Sequence, residues 1–379
     1  MVCITLSRPS GLAGIADRWQ SLEARAEPSF FQSWAWVGCL AEERFVDPVL
    51  LAAEEDGRTV ALALFNRRRH RLAPEALHLG ENGAEAVDSV FVEHNGPLVE
   101  RNREALLPAL LRAALHAPLL QAAGAPARHR RLVLSGVGDT QLQAARAAVA
   151  ENNPGGSHIG LLQTRPAPFV DLAGLRRSGA SFLESLSANT RYQLRRSARR
   201  YAGSGALVLR RPATLEEAWA FLDALAGLHQ ATWQRRGLPG KFAAPAFLRF
   251  HRTLLARTLP RGEADLLRIA AGERVIGYLY NFRFRGRVLA YQSGFDYAGA
   301  GPHEKPGMTC HHLAIEAAAA EGMECYDFLA GADRYKTSLA SGAVPLHWLE
   351  IAPRWSVGGV LNRLHEFARA WRTPESRGR

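Results

Sequence analysis

Three short stretches concentrate side chains that can handle charge or protons. NTRYQLRRSARRY, from Asn189 to Tyr201, sets Arg191, Arg195 and Arg199 at spacing i, i+4, i+8, with Arg196 and Arg200 on the adjoining stripe. On a helix such residues share one face, and the planar arginine fork suits phosphate oxygens. This face reads as a contact for the phosphates of a cofactor or RNA, or alternatively as a solvated face paired with acids elsewhere. GAGPHEKPGM, from Gly299 to Met308, is a glycine- and proline-rich loop feeding a helix N-terminus. Free N–H groups and the helix dipole favour an anion there, so a pyrophosphate fits, and Lys305 adds a cation. The stretch is neither GxGxxG nor a P-loop, and an ordinary connection needs similar residues.

YDFLAGADRYK holds Asp327, Asp333, Tyr335 and Lys336 just after a short strand, and the C-terminal ends of strands beside such helices are where ligands collect. A Tyr-Lys pair supplies a proton donor and a cation for developing negative charge, and Asp327 or Asp296 would serve as base if burial raised its pKa. The other reading is a turn capped by Asp333 with Lys336 at the surface. Cys310, His311 and His312 are adjacent, point in different directions on a helix and have no i, i+4 partner, so no metal is expected. Ser293-Gly294 lacks the GxSxG context of a nucleophile elbow.

The elements that must position these residues come in a repeated order. Leu12–Ala24 reads as a helix, and Ser33 caps a second that carries Trp34, Trp36 and Leu40. Val49–Ala53 and Thr59–Phe65 form a hairpin across Asp56-Gly57. A helix over Asn102–Leu115, a strand over Arg131–Ser135 and a helix over Thr140–Ala150 follow. The loop cluster Asn152–Gly156, and Pro166–Pro168 just before a strand-like Phe169–Leu172, set a domain boundary near residue 165, giving halves 1–165 and 166–379. Ser181 with Glu184 opens a helix to about Tyr201, Thr214 with Glu217 opens another, and Pro245 starts a third. Asp265–Ala270, Val275–Phe284 and Val288–Ser293 make an antiparallel meander. A helix from about Met308 to Glu321, ended by Gly322, leads to the strand Cys325–Leu329. The order helices, hairpin, helix, strand thus occurs twice, with LVLSGVGD ending at Asp139 matching YDFLAGAD ending at Asp333. A last amphipathic helix carries Val360, Leu364, Phe367 and Trp371.

Composition sets the outer limits. With 379 residues, 47% hydrophobic and 22% charged, the chain is globular and long enough for two domains. The net charge of +11 and pI near 10.1 attract polyanions without choosing among nucleic acid, anionic lipid and a phosphate-bearing cofactor. Arginine supplies nearly all of that charge, since the only lysines are Lys241, Lys305 and Lys336. Four cysteines without a CxxC pair exclude a disulfide framework, and no segment has signal-peptide or membrane-span character. A cytoplasmic protein is expected.

SANTRYQLRRSARRY, VIGYLYNFRFRGRVLAYQSGFD, and KPGM followed by YDFLAGADRYK together resemble the acetyltransferase domain of CelD/BcsL-type proteins of bacterial exopolysaccharide synthesis. That is a branch of the GNAT superfamily close to the FemAB-like aminoacyl ligases. The resemblance covers about 180–340; the first half shares only the element order and reads as a degenerate copy. It implies an α/β fold of tandem GNAT-like domains, each a mixed, largely antiparallel sheet flanked by helices. It implies transfer of an acetyl or other acyl group from acetyl-CoA or another acyl-CoA, without a metal, to an amine or hydroxyl of a small-molecule or sugar acceptor. By motif position, Lys305, Pro306, Gly307 and Met308 fall at the donor pyrophosphate, Tyr291 and Gly294 beside the acyl group, and Asp327, Tyr335 and Lys336 near the reacting centre. The common GNAT pyrophosphate signature is absent as such, which leaves a tRNA-dependent aminoacyl ligase, or a non-catalytic scaffold, as alternatives.

Overall fold

The computed structural model describes residues 1–69, 74–84, 88, 91–117, 130–150 and 156–354, so the expected helix through Val360 and Trp371 lies outside the described residues. In chain order the elements are β1 (Val2–Ser7), α1 (Ala13–Glu23), α2 (Trp34–Arg44), β2 (Pro48–Glu55), β3 (Arg58–Arg68), β4 (Ala76–Leu79), β5 (Leu98–Val99), α3 (Leu107–His116), β6 (Arg131–Val137), α4 (Asp139–Ala150) and β7 (Ser157–Asp171). There follow α5 (Leu172–Ser178), α6 (Phe182–Ser185), α7 (Ala188–Ala202), β8 (Leu207–Arg210), α8 (Leu215–Arg235), α9 (Pro245–Thr258), β9 (Ala264–Ala271), β10 (Arg274–Phe284), β11 (Arg287–Phe295), α10 (Pro306–Ala320), β12 (Cys325–Asp327), α11 (Arg334–Leu339) and β13 (Gly342–Pro353).

The chain divides into two compact units. One is Met1–Thr164 together with the chain from Pro345 onward; the other is Arg165–Val344. In the first, the strand order is β1-β2-β3-β4-β6-β13, with β5 also on β3. Its pairs are antiparallel except β4 with β6. In the second, the order from the opposite edge is β8-β9-β10-β11-β12-β7, antiparallel except β11 with β12. Apart from the two-residue β5, the order strand, two helices, three strands, helix, strand, helix is therefore repeated, with a parallel pair at the same place in each. The first unit's closing strand, β13, comes from beyond the second unit, while the part of β7 that pairs with β12, Phe169–Asp171, belongs to the second unit's own run. This differs from the expected halves 1–165 and 166–379: β13 joins the first unit because His347–Ile351 bond in register with Leu132–Val137 of β6. Pro166 and Pro168, expected in a linking loop, lie inside β7, where their carbonyls accept hydrogen bonds.

Local chemistry explains the boundaries. Asp56 and Gly57 both take positive φ (51° and 76°), the geometry of a tight two-residue hairpin. The capping box Ser181–Glu184 opens only the four residues of α6. Ser187 then offers a second cap, its hydroxyl accepting the Thr190 N–H at 3.2 Å, so the arginine-rich helix begins at Ala188 and not at Ser181. The first core joins Leu51, Phe65 and Leu134 of the sheet to Leu111 of α3 and Ala145 of α4. The second joins Leu267, Leu279 and Tyr326 to Leu194 of α7 and Ile315 of α10.

In the first unit the space where β4 and β6 part is filled. Beyond the Leu79–Leu134 pair, Asn95 bridges to Val137, and its N–H donates to the Gly136 carbonyl at 3.0 Å. Its side-chain amide donates to the carbonyls of Leu79 (3.0 Å) and Ser135 (3.2 Å) and accepts the Gly96 N–H (2.9 Å). Gly136, at φ +64°, admits this segment so closely that a Cβ there would stand 2.2 Å from the Val92 carbonyl oxygen. Because buried backbone groups left unpaired are costly, Asn95→Ala is expected to lower unfolding free energy by about 1–3 kcal/mol in a urea titration of the full chain. A change below about 0.5 kcal/mol would show that the bridge carries no weight.

Candidate active site

The parallel pair of the second unit sets the position of the site. β11 and β12 bond side by side only from Arg287–Leu289 to Cys325–Asp327. Beyond this, β11 runs on to Phe295, while the chain leaving β12 leans the other way. The Phe328 N–H donates to the Pro168 carbonyl and the Gly331 N–H to the Pro166 carbonyl, both at 2.9 Å. Among the described residues no segment forms a bridge into the resulting gap.

After Phe295 the chain turns through a tied loop into α10. Asp296 accepts the Gly299 N–H (2.8 Å), and Glu304 accepts the Gly301 N–H (2.8 Å) and the Arg274 fork (2.7 and 3.1 Å). Arg274 also lies 5.2 Å over the Tyr201 ring. This arginine holds the Glu304 carboxyl below its ordinary range, so it stays ionised, and the paired guanidinium offsets its charge ahead of the helix N-terminus. Ser197 of α7 accepts the Lys305 N–H at 2.9 Å and meets the Thr309 hydroxyl at 2.8 Å. Pro306 has no N–H, and the Thr309 N–H returns to the Lys305 carbonyl. The first-turn N–H groups of Gly307 and Met308 are left without an acceptor inside the helix. Gly307 is the residue type the space demands: a Cβ would meet both the Phe295 ring and the Tyr297 hydroxyl at 3.1 Å.

One turn along the same face, His311 is 2% exposed and its ring stacks on Tyr335 with centroids 5.2 Å apart and an 18° tilt. Phe295 and Phe328 meet the same imidazole edge-on. Burial raises the Tyr335 and Tyr297 phenols above their ordinary range, so both stay protonated and able to donate. Lys336 Nζ donates to the Ala330 carbonyl at 2.9 Å, which holds its charge against the loop that follows β12. Gly307, Met308, Tyr335 and Lys336 are thus grouped around α10 and α11, and Tyr297 and His311 join them.

Other expected residues fall elsewhere. β11 carries one extra residue opposite Tyr280–Asn281, and Tyr291 points into an aromatic cluster with His251, Tyr280 and Phe282. Gly294 lies where α8 crosses the sheet, its Cβ position only 2.3 Å from the Leu225 carbonyl oxygen, so helix packing demands glycine there. Asp327 is fully buried, accepts the Arg287 guanidinium at 2.9 Å and the Leu329 N–H at 2.8 Å, and anchors the turn after β12 in place of standing ready as a base. Arg191, Arg195 and Arg199 do share a face, lining a surface depression with Ala188, Tyr192 and Ala198. That face is 120–200° around α7 from Ser197, the contact with α10, so these arginines do not flank the α10 N-terminus. Tyr297 and His311 lack a sequence motif; His311 was considered only as a metal ligand, although its i+4 spacing from Gly307 puts both on one face.

Residues 188–337, which hold every one of these groups, match the model of the Acetyltransferase (GNAT) domain family. In structure the chain is similar to FemX, at 11% identity over 93% of this chain and 98% of that one, with a TM-score of 0.60. It is also similar to the C-terminal domain of a putative lysylphosphatidylglycerol synthetase from Agrobacterium fabrum (12% identity, 97% and 99% covered, TM-score 0.52). The structure of L-PGS from Bacillus licheniformis is a third likeness (11%, 92% and 95%, TM-score 0.51). At such identities the likeness defines the fold alone, an α/β fold of tandem GNAT-like units, each a mixed, largely antiparallel sheet flanked by helices. No curated protein matches in sequence. Among the described residues no helix is long and apolar enough to cross a membrane, and no group of three or more His, Cys, Asp or Glu is placed to hold a metal ion.

Gly294→Ala is expected to cost about 1–3 kcal/mol of stability by overpacking α8 against β11, read by urea unfolding; a neutral result would return Gly294 to the list of ligand contacts. Burial pushes the imidazoles of His311 down to about 3 and of His312 down to about 4. Both stay neutral in the fold where the unfolded chain takes up protons near its ordinary 6.5. Their contribution is fully present above that pH and is lost as pH falls below it. Replacing either by Gln should flatten the fall in unfolding free energy between pH 6.5 and 5 by up to ~1.4 kcal/mol per pH unit, measured against wild type. An unchanged slope would show that the imidazole titrates normally.

Proposed function

We propose that the second unit is an acyltransferase that takes an acetyl or other acyl group from acyl-CoA and passes it to an amine or hydroxyl of a small-molecule or sugar acceptor. A place in exopolysaccharide or envelope synthesis of the CelD/BcsL kind would suit such an acceptor. The observation that carries this reading is the parting of β11 and β12 next to a helix whose first-turn N–H groups have no acceptor within the helix, set against the filled counterpart in the first unit. The Gly307 and Met308 amides would hold the donor pyrophosphate, with Lys305 exposed beside them. Tyr335 and Tyr297 would supply protons, and Lys336 would favour negative charge developing near them. The donor brings the activated thioester; the protein's part is to hold the reactants together and exclude water.

One observation favours a second reading, an aminoacyl-tRNA donor. The outer face of α7 carries Arg191, Arg195 and Arg199 around Tyr192, which is 56% exposed, and the helix contains no acidic residue. That face suits a phosphate backbone with a base stacked on the ring.

Thermal melts separate the two. Acetyl-CoA at 100 times its dissociation constant should stabilise the fold by ~2.7 kcal/mol, and Gly307→Asp should abolish the shift. Tyr335→Phe with Lys336→Ala should keep the shift but lose acyl transfer. No shift with any acyl-CoA, together with tRNA binding that weakens steeply with salt and with Arg195→Glu, would replace the first reading by the second. Silence toward both ligands would favour a non-catalytic scaffold.

A further inference from the structure

We infer that His311 is a positioning residue for the reacting centre: Tyr326 fixes its ring from below, and the ring in turn fixes Tyr335 beside Lys336. The link to transfer rests on the acyltransferase reading; the geometry does not.

A row of polar side chains crosses the α10 face of the sheet, where apolar residues would be the ordinary choice. Arg211 Nε donates to Asp265 of β9 at 2.6 Å. Asp265 stands opposite Asn281 of β10, and Asn281 opposite Ala290 of β11. Alanine is small, so the Asn281 amide lies beside the hydroxyl of Tyr326, which projects from β12. That hydroxyl meets His311 Nδ1 at 2.9 Å. All of Asp265, Asn281, Tyr326 and His311 are buried, Asn281 and Tyr326 completely.

This arrangement removes the freedom an imidazole normally has. The ring is sealed between Tyr335 on one side and the edges of Phe295, Tyr326 and Phe328. Burial and the nearby Lys336 charge keep it neutral, so it carries one proton, and its partner decides on which nitrogen. Burial also keeps the Tyr326 hydroxyl protonated. The 2.9 Å contact accommodates either donor; we assign the Tyr326 hydroxyl as donor to Nδ1 and the His311 proton to Nε2. Nε2 has no partner among the described residues. Any tilt of this ring moves Tyr335, which lies next to Lys336 in the first turn of α11.

The test uses the full chain with nitrogen-15-labelled histidine and carbon-13-labelled tyrosine rings, signals being identified by His311→Gln and Tyr335→Phe. Wild type should show His311 as a single neutral tautomer protonated on Nε2 from pH 5 to 8, and acetyl-CoA should shift the Tyr335 ring signals. Tyr326→Phe, which removes one oxygen, should mix the tautomers and erase the Tyr335 response while acetyl-CoA affinity stays within about twofold. His311→Asn, which keeps a polar atom near Nδ1 but no ring to stack, should also lose the Tyr335 response, and serves if Tyr326→Phe does not fold. A His311 that protonates near pH 6.5, or a Tyr335 response that survives both variants, would overturn the inference. A fixed tautomer in a protein that ignores acetyl-CoA would overturn the donor reading, leaving a hydrogen bond without that role.

Discussion

Parallel strands can share hydrogen bonds only while they run side by side, and in the second unit β11 and β12 do so for three residues each. Everything proposed for the site follows from where they stop. The chain leaving β12 is captured by β7 through the carbonyls of Pro168 and Pro166, so it cannot also follow β11. The chain leaving β11 must reverse into α10, and Asp296, Arg274 and Glu304 tie that reversal so that the helix begins against Phe295. Backbone groups freed by the parting and by the helix start need partners, and a ligand rich in oxygen is one way to supply them.

The first unit meets the same constraint differently. Its β4 and β6 part in the same way, but the connection between β4 and α3 returns Asn95 into the gap, where one side chain satisfies two carbonyls and an N–H. Two copies of one topology thus differ at the position where strand pairing ends, one filled by its own chain and the other, among the described residues, not. Because β13 closes the first sheet from beyond the second unit, the first unit is not a continuous run of sequence, whereas the second, Arg165–Val344, is.

Much of this order was legible in the residues, because it rests on local chemistry. Asp56-Gly57 and Arg285-Gly286 mark hairpins through positive φ, Thr214 and Ser33 cap helices, and Gly322 ends α10. Of β7 only the end was legible, as the strand-like Phe169–Leu172; the rest of β7 and all of β13 were not. Pro166 and Pro168 look like linker residues, and the partners that make them a strand are more than 100 positions away. The site was legible in the same uneven way. Gly307, Tyr335 and Lys336 lie in compact segments and come together. Tyr291 and Gly294 answer to packing against α9 and α8, and Asp327 to Arg287, which strand alternation and an extra residue in β11 decide. His311 depends on Tyr326 across the helix–sheet interface, a pairing without a local signature.

Hydrogen exchange with and without acetyl-CoA tests most directly whether the donor sits where β11 and β12 part. Binding there predicts slowed exchange of the Gly307 and Met308 amides and of the loop from Asp296, with the Val92–Val99 stretch of the first unit unchanged. Protection confined to Val92–Val99, or to α7 alone, would contradict it.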